Sequence, residues 1–416
     1  MYRYGEQLIQ SLRLDDCYSY TFLILLGLCL AKSFSQSLGV GALELITCFI
    51  SVMILRRFLP VIVLYFLLIY AAFLVVLLLS SINSFASNSQ ARMAVVTQFL
   101  VYLKLPLSVV LLISLAEFSG RYFTCRLYMY TKYLLFFSLI LCVFQLTVPS
   151  LVVEVFSGQY LDTYITGFDI RRMTGVYNHP TLLGYLSAIS FIYLLSKPLS
   201  REVFLLLIIS FILLLLSGQR GELVLLFACF PLAYLLRVSY KMFGVFGSGI
   251  LSLIIYIITC MNFESIFGID IAGDNVVRHV LYAGAYQVAF DYFPLGSGMA
   301  TYGSSNSAES LVYYDTGIEM LWWFSKGTAF LTDTTWAMIL AESGFIGTGV
   351  YLFFVSILLF YCVSRNSSIY SCAILSFILL ESLSNPTFTS YVYVLVVGFA
   401  YALFSGGGMR ENSYGD

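Results

Sequence analysis

Long apolar runs separated by short polar interruptions dominate this sequence. The run from Leu59 to Leu79 contains no charged residue, and about 20 apolar residues are enough for a helix to cross a bilayer core about 30 Å thick. Repetition of this pattern predicts about twelve membrane-spanning helices. They fall near residues 19–36, 38–55, 58–82, 96–118, 128–149, 181–196, 203–217, 221–237, 243–261, 336–362, 369–384 and 390–405.

Composition agrees with the pattern. Hydrophobic residues make up 60% of the chain, charged residues 10%, and the mean hydropathy is +0.92. These values exclude an ordinary soluble domain, and a formal net charge of -1 argues against a nucleic-acid partner. A β-barrel would show short alternating segments instead of long apolar runs. We therefore expect an all-α polytopic membrane protein, with residues 1–416 forming a single integral membrane domain.

Basic residues orient the predicted spans. If the N-terminus is cytoplasmic, most arginines and lysines between the spans fall on the cytoplasmic side, as membrane proteins prefer. The first sixteen residues lack the features of a signal peptide, so the N-terminus is predicted to be cytoplasmic. Twelve spans then place the C-terminus on the same side. Two longer segments, 150–178 and 262–335, are then predicted on the outer side. Within the second, Val280 to Tyr292 has apolar residues at helical spacing and predicts an amphipathic helix at the outer interface.

Four short motifs stand out in the second half of the chain. The first is R-x-x-G-x-x-N-H-P, from Arg172 to Pro180, and the second is S-G-Q-R-G, from Ser217 to Gly221. The third begins with Arg278-His279 and ends in F-P-L-G-S-G at Gly298; the fourth is A-E-S-G-F-I-G, from Ala341 to Gly347. In this order, within a profile of about twelve spans, they resemble the O-antigen polymerase and ligase superfamily of bacterial envelope glycan synthesis.

The resemblance implies a metal-independent, inverting glycosyltransferase with a GT-C-like membrane fold. Such an enzyme would work without a cofactor at the periplasmic face of the inner membrane, on oligosaccharides linked to undecaprenyl pyrophosphate. Ligases of the superfamily have a histidine where this chain has Asp333. That difference favours a polymerase that joins repeat units into the O-antigen of lipopolysaccharide or into a capsular polysaccharide. Expected partners are the lipid-linked substrate, membrane lipid, and the chain-length regulator and flippase of the same pathway.

The chemistry of such a reaction points to the arginines of the motifs. Departure of a polyprenyl pyrophosphate places charge on two phosphates, which need fixed cations or a metal ion. The sequence contains no Asp-x-Asp, so we expect no metal site. Arginine is permanently charged and offers forked hydrogen bonds to phosphate oxygens. We therefore predict that Arg172, Arg220 and Arg278 bind the pyrophosphate, with Arg171 as a fourth candidate.

The acceptor hydroxyl must lose a proton as it attacks, so a carboxylate or imidazole is expected nearby. Asp333 is the first candidate base, His279 the second and Glu342 the third. Asp333, followed by two threonines, is also a good N-cap signal for the span that follows. Asn178 and His179 are expected to cap the sixth span, and a direct substrate contact is the alternative.

Two other functions stay open from the sequence. A ligase would transfer finished glycan to lipid A-core or to protein. A lipid-linked oligosaccharide flippase would have a similar number of spans and would also need cations for pyrophosphate. It would not need the long outer segment 262–335, and its charges would lie within its spans rather than at their outer ends.

Overall fold

The computed structural model describes residues 61–119, 121–148, 171–177, 179–238, 274–321, 324, 331–365, 368–385, 387–388 and 397. These residues form α-helices, short 3-10 turns and irregular segments. In chain order the helices are α1 (Val61–Ala86), α2 (Arg92–Ser119), α3 (Arg121–Thr147), α4 (Pro180–Leu195), α5 (Arg201–Leu216), α6 (Arg220–Val238), α7 (Asp274–Asp291), α8 (Val312–Asp315), α9 (Thr335–Arg365) and α10 (Ile369–Ser384).

Every predicted span that falls on described residues corresponds to a helix. Segments of α1, α2, α3, α6 and α9 are long and apolar enough to cross a membrane, while α4 and α10 are shorter apolar helices. The chain is therefore an all-α protein with several helices suited to a bilayer. The predicted spans 19–36, 38–55, 243–261 and 390–405 lie outside the described residues, apart from Val397 in the last.

Surfaces of the long helices support membrane embedding. Large apolar side chains are exposed along them, among them Leu68 on α1 at 66% and Phe227 on α6 at 67%. Contiguous exposed apolar surface of this kind marks contact with lipid or with a partner. Because these side chains lie on helices long enough to span a bilayer, lipid contact explains their exposure.

The chain forms two compact units. The first contains 107–228 and the second Pro60–Pro106 with Cys229–Val397, beside segments outside the described residues. The division falls inside α2, immediately after Pro106, and inside α6. Each unit is therefore built from segments that are far apart in sequence.

In the first unit, α5 packs against both α4 and α3. Small and hydroxylated residues line the α4–α5 contact, where the Ser210 hydroxyl donates to the Ser187 carbonyl at 2.6 Å. Small residues let apolar helices approach closely, and hydroxyl groups then bond across the interface. The hairpin therefore brings the start of α4 close to the end of α5.

In the second unit, α9 is the central helix and packs against α1, α7 and α10. Aromatic side chains fill the α1–α9 contact. Tyr70 meets Phe354 at a centroid distance of 4.8 Å, and Phe73 meets Tyr351 at 5.0 Å. Such tilted ring pairs add to simple burial. They fix α1 against α9.

The predicted amphipathic helix is present but longer than expected, since α7 begins at Asp274 rather than near Val280. One face is buried, including Leu281, Ala285 and Ala289, while Phe290 is exposed. The buried face packs against α9. Sequence periodicity located the centre of this helix but not its first turns, where the apolar pattern is weaker.

Candidate functional site

The first motif begins in an extended loop that Gln145 of α3 holds in place. The Gln145 side-chain oxygen accepts hydrogen bonds from the backbone N–H groups of Thr174 at 3.1 Å and Gly175 at 3.2 Å. Its amide nitrogen donates to the Thr174 hydroxyl at 2.6 Å. Gly175 has a φ of +58°, a conformation that favours glycine. The Gln145 side chain thus pairs two backbone N–H groups and the Thr174 hydroxyl of the turn that follows Arg172.

His179 caps α4, as predicted. Its backbone is extended, with φ -140° and ψ 136°, and its Nδ1 accepts a hydrogen bond from the Thr181 N–H at 3.2 Å. Pro180 follows at the first helical position, where its missing N–H costs nothing. The histidine is therefore fixed at the helix start with Nδ1 as an acceptor. Asn178, its predicted partner, lies outside the described residues.

The first and second motifs meet in the first unit. The Met173 N–H donates to the Leu216 carbonyl at 2.9 Å, and the Gln219 amide donates to the Thr181 hydroxyl at 3.1 Å. Gly184 permits this contact, because a Cβ there would lie 2.9 Å from the Ser217 hydroxyl oxygen. The sequence suggested each motif separately, and the fold brings them together at one end of the α4–α5 hairpin.

Three predicted pyrophosphate ligands lie around this contact. Arg171 and Arg172 are half-buried, and Arg220 is exposed as the first residue of α6. The Nε atom of Arg172 is buried and has no hydrogen-bond partner among the described residues. A buried donor of this kind carries a free-energy cost until it is paired. The geometry therefore offers a cationic donor beside a helix start.

His179 lies within the electrostatic influence of Arg172. Although part of His179 is exposed, desolvation of its ring by the surrounding protein lowers its pKa, and the Arg172 charge lowers it further. The imidazole is accordingly neutral at neutral pH, consistent with Nδ1 accepting a hydrogen bond.

The protein has two histidines, so the pKa of His179 can be measured directly. In a His279→Gln background, we expect the remaining imidazole NMR signal to titrate below the ordinary value of 6.5. Adding Arg172→Ala should raise that midpoint, because one nearby positive charge is gone. Since the unfolded chain then binds the proton more readily than the folded one, His179 should reduce stability as the pH falls through 6.5. A midpoint above 6.5, unmoved by Arg172→Ala, would contradict this placement.

The third and fourth motifs meet in the second unit, at a break in α9. Gly344 lies inside the helix with φ 63° and ψ -166°. The turn after α7 packs into the break, where Ser297 N–H donates to the Ala341 carbonyl at 2.9 Å and Gly298 N–H to the Glu342 carbonyl at 3.1 Å. Carbonyls that the break removes from the helical ladder are thus paired by the turn. F-P-L-G-S-G and A-E-S-G therefore form one structural element.

Glu342 is the centre of a buried polar network. Its residue exposure is 0%. One carboxylate oxygen accepts from the Tyr102 hydroxyl at 2.7 Å and the Gln98 amide at 3.3 Å. The other accepts from the backbone N–H groups of Thr301 at 3.2 Å and Tyr302 at 3.5 Å. The carboxylate thus joins α2, α9 and the irregular segment after α7.

That irregular segment, 296–304, is buried throughout. Side chains from the end of α1 bind its backbone: Asn83 donates to the Gly296 carbonyl at 2.8 Å, and Ser84 to the Met299 carbonyl at 2.9 Å. Asn88 adds a bond to the Ser297 carbonyl at 3.0 Å. Non-helical backbone inside a membrane protein needs such partners. Glu342 and these side chains together hold the segment between the helices.

Burial of Glu342 favours a positioning role over contact with an acceptor sugar.

The other predicted site residues of the second half lie apart from the first two motifs in the chain. Arg278 lies on α7 and is half-buried, in a different unit from Arg172 and Arg220. Asp333 ends the 3-10 turn Leu331–Asp333, two residues before α9 begins at Thr335. The side chains of His279 and Asp333 lie outside the description, so their catalytic roles stay predictions. Within the described ranges, no cluster of three or more His, Cys, Asp or Glu could hold a metal ion.

Sequence reasoning missed Gln98, Tyr102 and Gln145. All three lie inside apolar runs that predict spans, and none belongs to a motif. A signal was present, since an uncharged polar side chain in such a run needs a hydrogen-bond partner. The identity of that partner required the fold.

The chain matches no protein-family model and no curated protein.

Proposed function

We propose that this protein is a membrane glycosyltransferase that polymerises oligosaccharide repeat units carried on undecaprenyl pyrophosphate. The product would be an O-antigen or capsular polysaccharide, made at the periplasmic face of the bacterial inner membrane. The proposal rests on the motif resemblance and on the meeting of the motifs in pairs, the first with the second and the third with the fourth.

One observation carries the proposal. The buried Nε of Arg172 has no hydrogen-bond partner among the described residues, and the backbone of the next residue, Met173, bonds to Leu216 just before the second motif. An arginine whose buried Nε lacks a hydrogen-bond partner, in a protein of apolar helices, is suited to bind an anionic ligand. Arg220, at the start of α6, adds a second cation to the same structural element. A diphosphate carries negative charge to balance both arginines, and its oxygens can accept a hydrogen bond from the Arg172 Nε.

The proposed step is a displacement at an anomeric carbon. A hydroxyl oxygen of the incoming lipid-linked repeat unit forms a bond to that carbon, and the bond from the carbon to the pyrophosphate oxygen of the growing chain breaks. The pyrophosphate leaves with the electron pair, and arginines stabilise its added charge. Asp333 or His279 would receive the hydroxyl proton. Inversion follows from attack opposite the leaving group.

A surface-glycan ladder tests the arginine assignment. In a null strain complemented with variants, we expect Arg172→Ala or Arg220→Ala to abolish long chains at unchanged protein level, because the leaving group loses a fixed cation. Arg92→Ala is the matched control, because Arg92 is exposed and lies outside every motif. Normal ladders from both motif variants would refute the assignment.

The null strain itself separates the candidate functions. A polymerase null should still display a single repeat unit on the cell surface. Loss of all surface repeats would point to a flippase instead. Accumulation of long, lipid-linked glycan that never reaches its acceptor would point to a ligase.

A further inference from the structure

A second concave surface lies in the first unit, formed by the first turns of α3, the end of α4 and the start of α5. It is a cavity of about 480 Å³ whose lining includes Tyr128, Met129, Lys197, Leu199 and Val203. The motif contact involves the opposite ends of all three helices. Nothing in the proposed chemistry uses this cavity.

The walls of the cavity are mostly apolar and open to the outside of the protein. Met129 is 50% exposed and Leu199 is 77% exposed, whereas Val203 is buried beneath them. Exposed apolar walls at the ends of apolar helices therefore suit an acyl chain.

The charges around the cavity are mainly positive. The described side chains at this end include three cations, Lys132, Lys197 and Arg201, and one acid, Glu202. Glu202 forms an ion pair with Lys132 at 2.6 Å. The Lys197 ammonium lies 4.7 Å from the centroid of the Tyr193 ring, and the N-terminus of α5 adds the positive end of its dipole. An anionic group is the complementary ligand.

We propose that this cavity binds an anionic phospholipid, with its phosphate against Lys197 and the N-terminus of α5 and one acyl chain along Met129, Leu199 and Val203. Basic pockets between membrane helices are suited to lipid phosphates. The excess of cations disfavours a zwitterionic lipid, which brings an ammonium group of its own. Free phosphate would leave the apolar walls uncovered.

Lipid titration of the purified full-length protein in detergent, followed by native mass spectrometry, tests the proposal. Phosphatidylglycerol should bind several-fold more tightly than phosphatidylcholine with matched chains. Lys197→Ala should weaken phosphatidylglycerol binding roughly fivefold, the usual effect of one lysine near an anionic lipid. Equal binding of the two lipids, or no change in Lys197→Ala, would overturn the proposal.

Further variants separate the lipid from simpler explanations. Leu199→Ser, at an exposed position, should weaken both lipids equally, because it removes part of the chain-binding wall. Lys197→Gln keeps most of the side-chain length and replaces Lys197→Ala if the alanine variant does not fold. Arg92→Ala removes a cation far from this cavity in sequence and should bind like the wild type. Displacement of the lipid by inorganic phosphate would show a phosphate site and refute the lipid.

Discussion

Replacing Glu342 by alanine is expected to destabilise the protein by about 3–5 kcal/mol, because several buried donors lose their acceptor and a cavity is left. The Tyr102 hydroxyl and the Thr301 N–H both end on this carboxylate. Neither can reach water from the protein interior. Thermal unfolding in detergent measures the loss. Protease cleavage within 296–310 should become faster than in wild type, since the segment loses its main anchor.

A matched set of variants isolates the network. Glu309, an exposed carboxylate on the same stretch of chain, should tolerate alanine with almost no change. Tyr102→Phe removes one donor and leaves the carboxylate partly paired, so about 1–2 kcal/mol is expected. The loss of stability in Glu342→Gln should fall between those of Tyr102→Phe and Glu342→Ala, because one side-chain oxygen remains to accept hydrogen bonds. If Glu342→Ala unfolded at the temperature of Glu309→Ala, the network would not be stabilising.

Positioning by Glu342 also bears on the proposed function. The carboxylate fixes segment 296–304 beside the start of α9, and Asp333, the first candidate base, lies just before that helix. Glu342→Gln is therefore expected to shorten the glycan ladder at normal protein level. A ladder of wild-type length would leave Glu342 with a structural role only.

Hydrophobic pattern alone predicted much of this fold. The apolar runs that predict α1, α3 and α9 are long and contain few charges, so membrane insertion leaves helix as the one regular structure that pairs every backbone group. His179 was also predictable as a cap, because Asn-His-Pro ahead of an apolar run has few other uses. Such signals depend only on residues that are close together in sequence, so a single sequence is enough to show them.

The polar centre of the second unit could not be predicted in the same way. Tyr102 and Glu342 are 240 positions apart in sequence, and both lie in apolar runs that predict plain spans. Their pairing depends on how α2 and α9 pack, which a single sequence does not encode in local periodicity. The buried segment 296–304 was missed for the same reason. Its Gly and Ser content predicts an exposed turn. Hydrogen bonds from its backbone to side chains of α1, and to carbonyls and the Glu342 carboxylate of α9, nevertheless hold it inside the protein.

Gly344→Ala is expected to produce the second large effect, a loss of about 3 kcal/mol or more in stability. Its backbone, at φ 63° and ψ -166°, belongs to a region populated almost only by glycine. An added Cβ would also contact the Gly296 nitrogen and lie 2.5 Å from the Pro294 carbonyl oxygen, forcing the turn out of the break in α9.

Gly349 supplies the control for that substitution, since it lies in the same helix and a Cβ there meets nothing within 4 Å. Gly349→Ala should be neutral or slightly stabilising, because alanine is the better helix former. Thermal unfolding compares the two variants directly. Equal melting temperatures would contradict the break at Gly344. A large loss in Gly344→Ala alone would instead show that the third and fourth motifs are joined through backbone contact, which only glycine permits at this position.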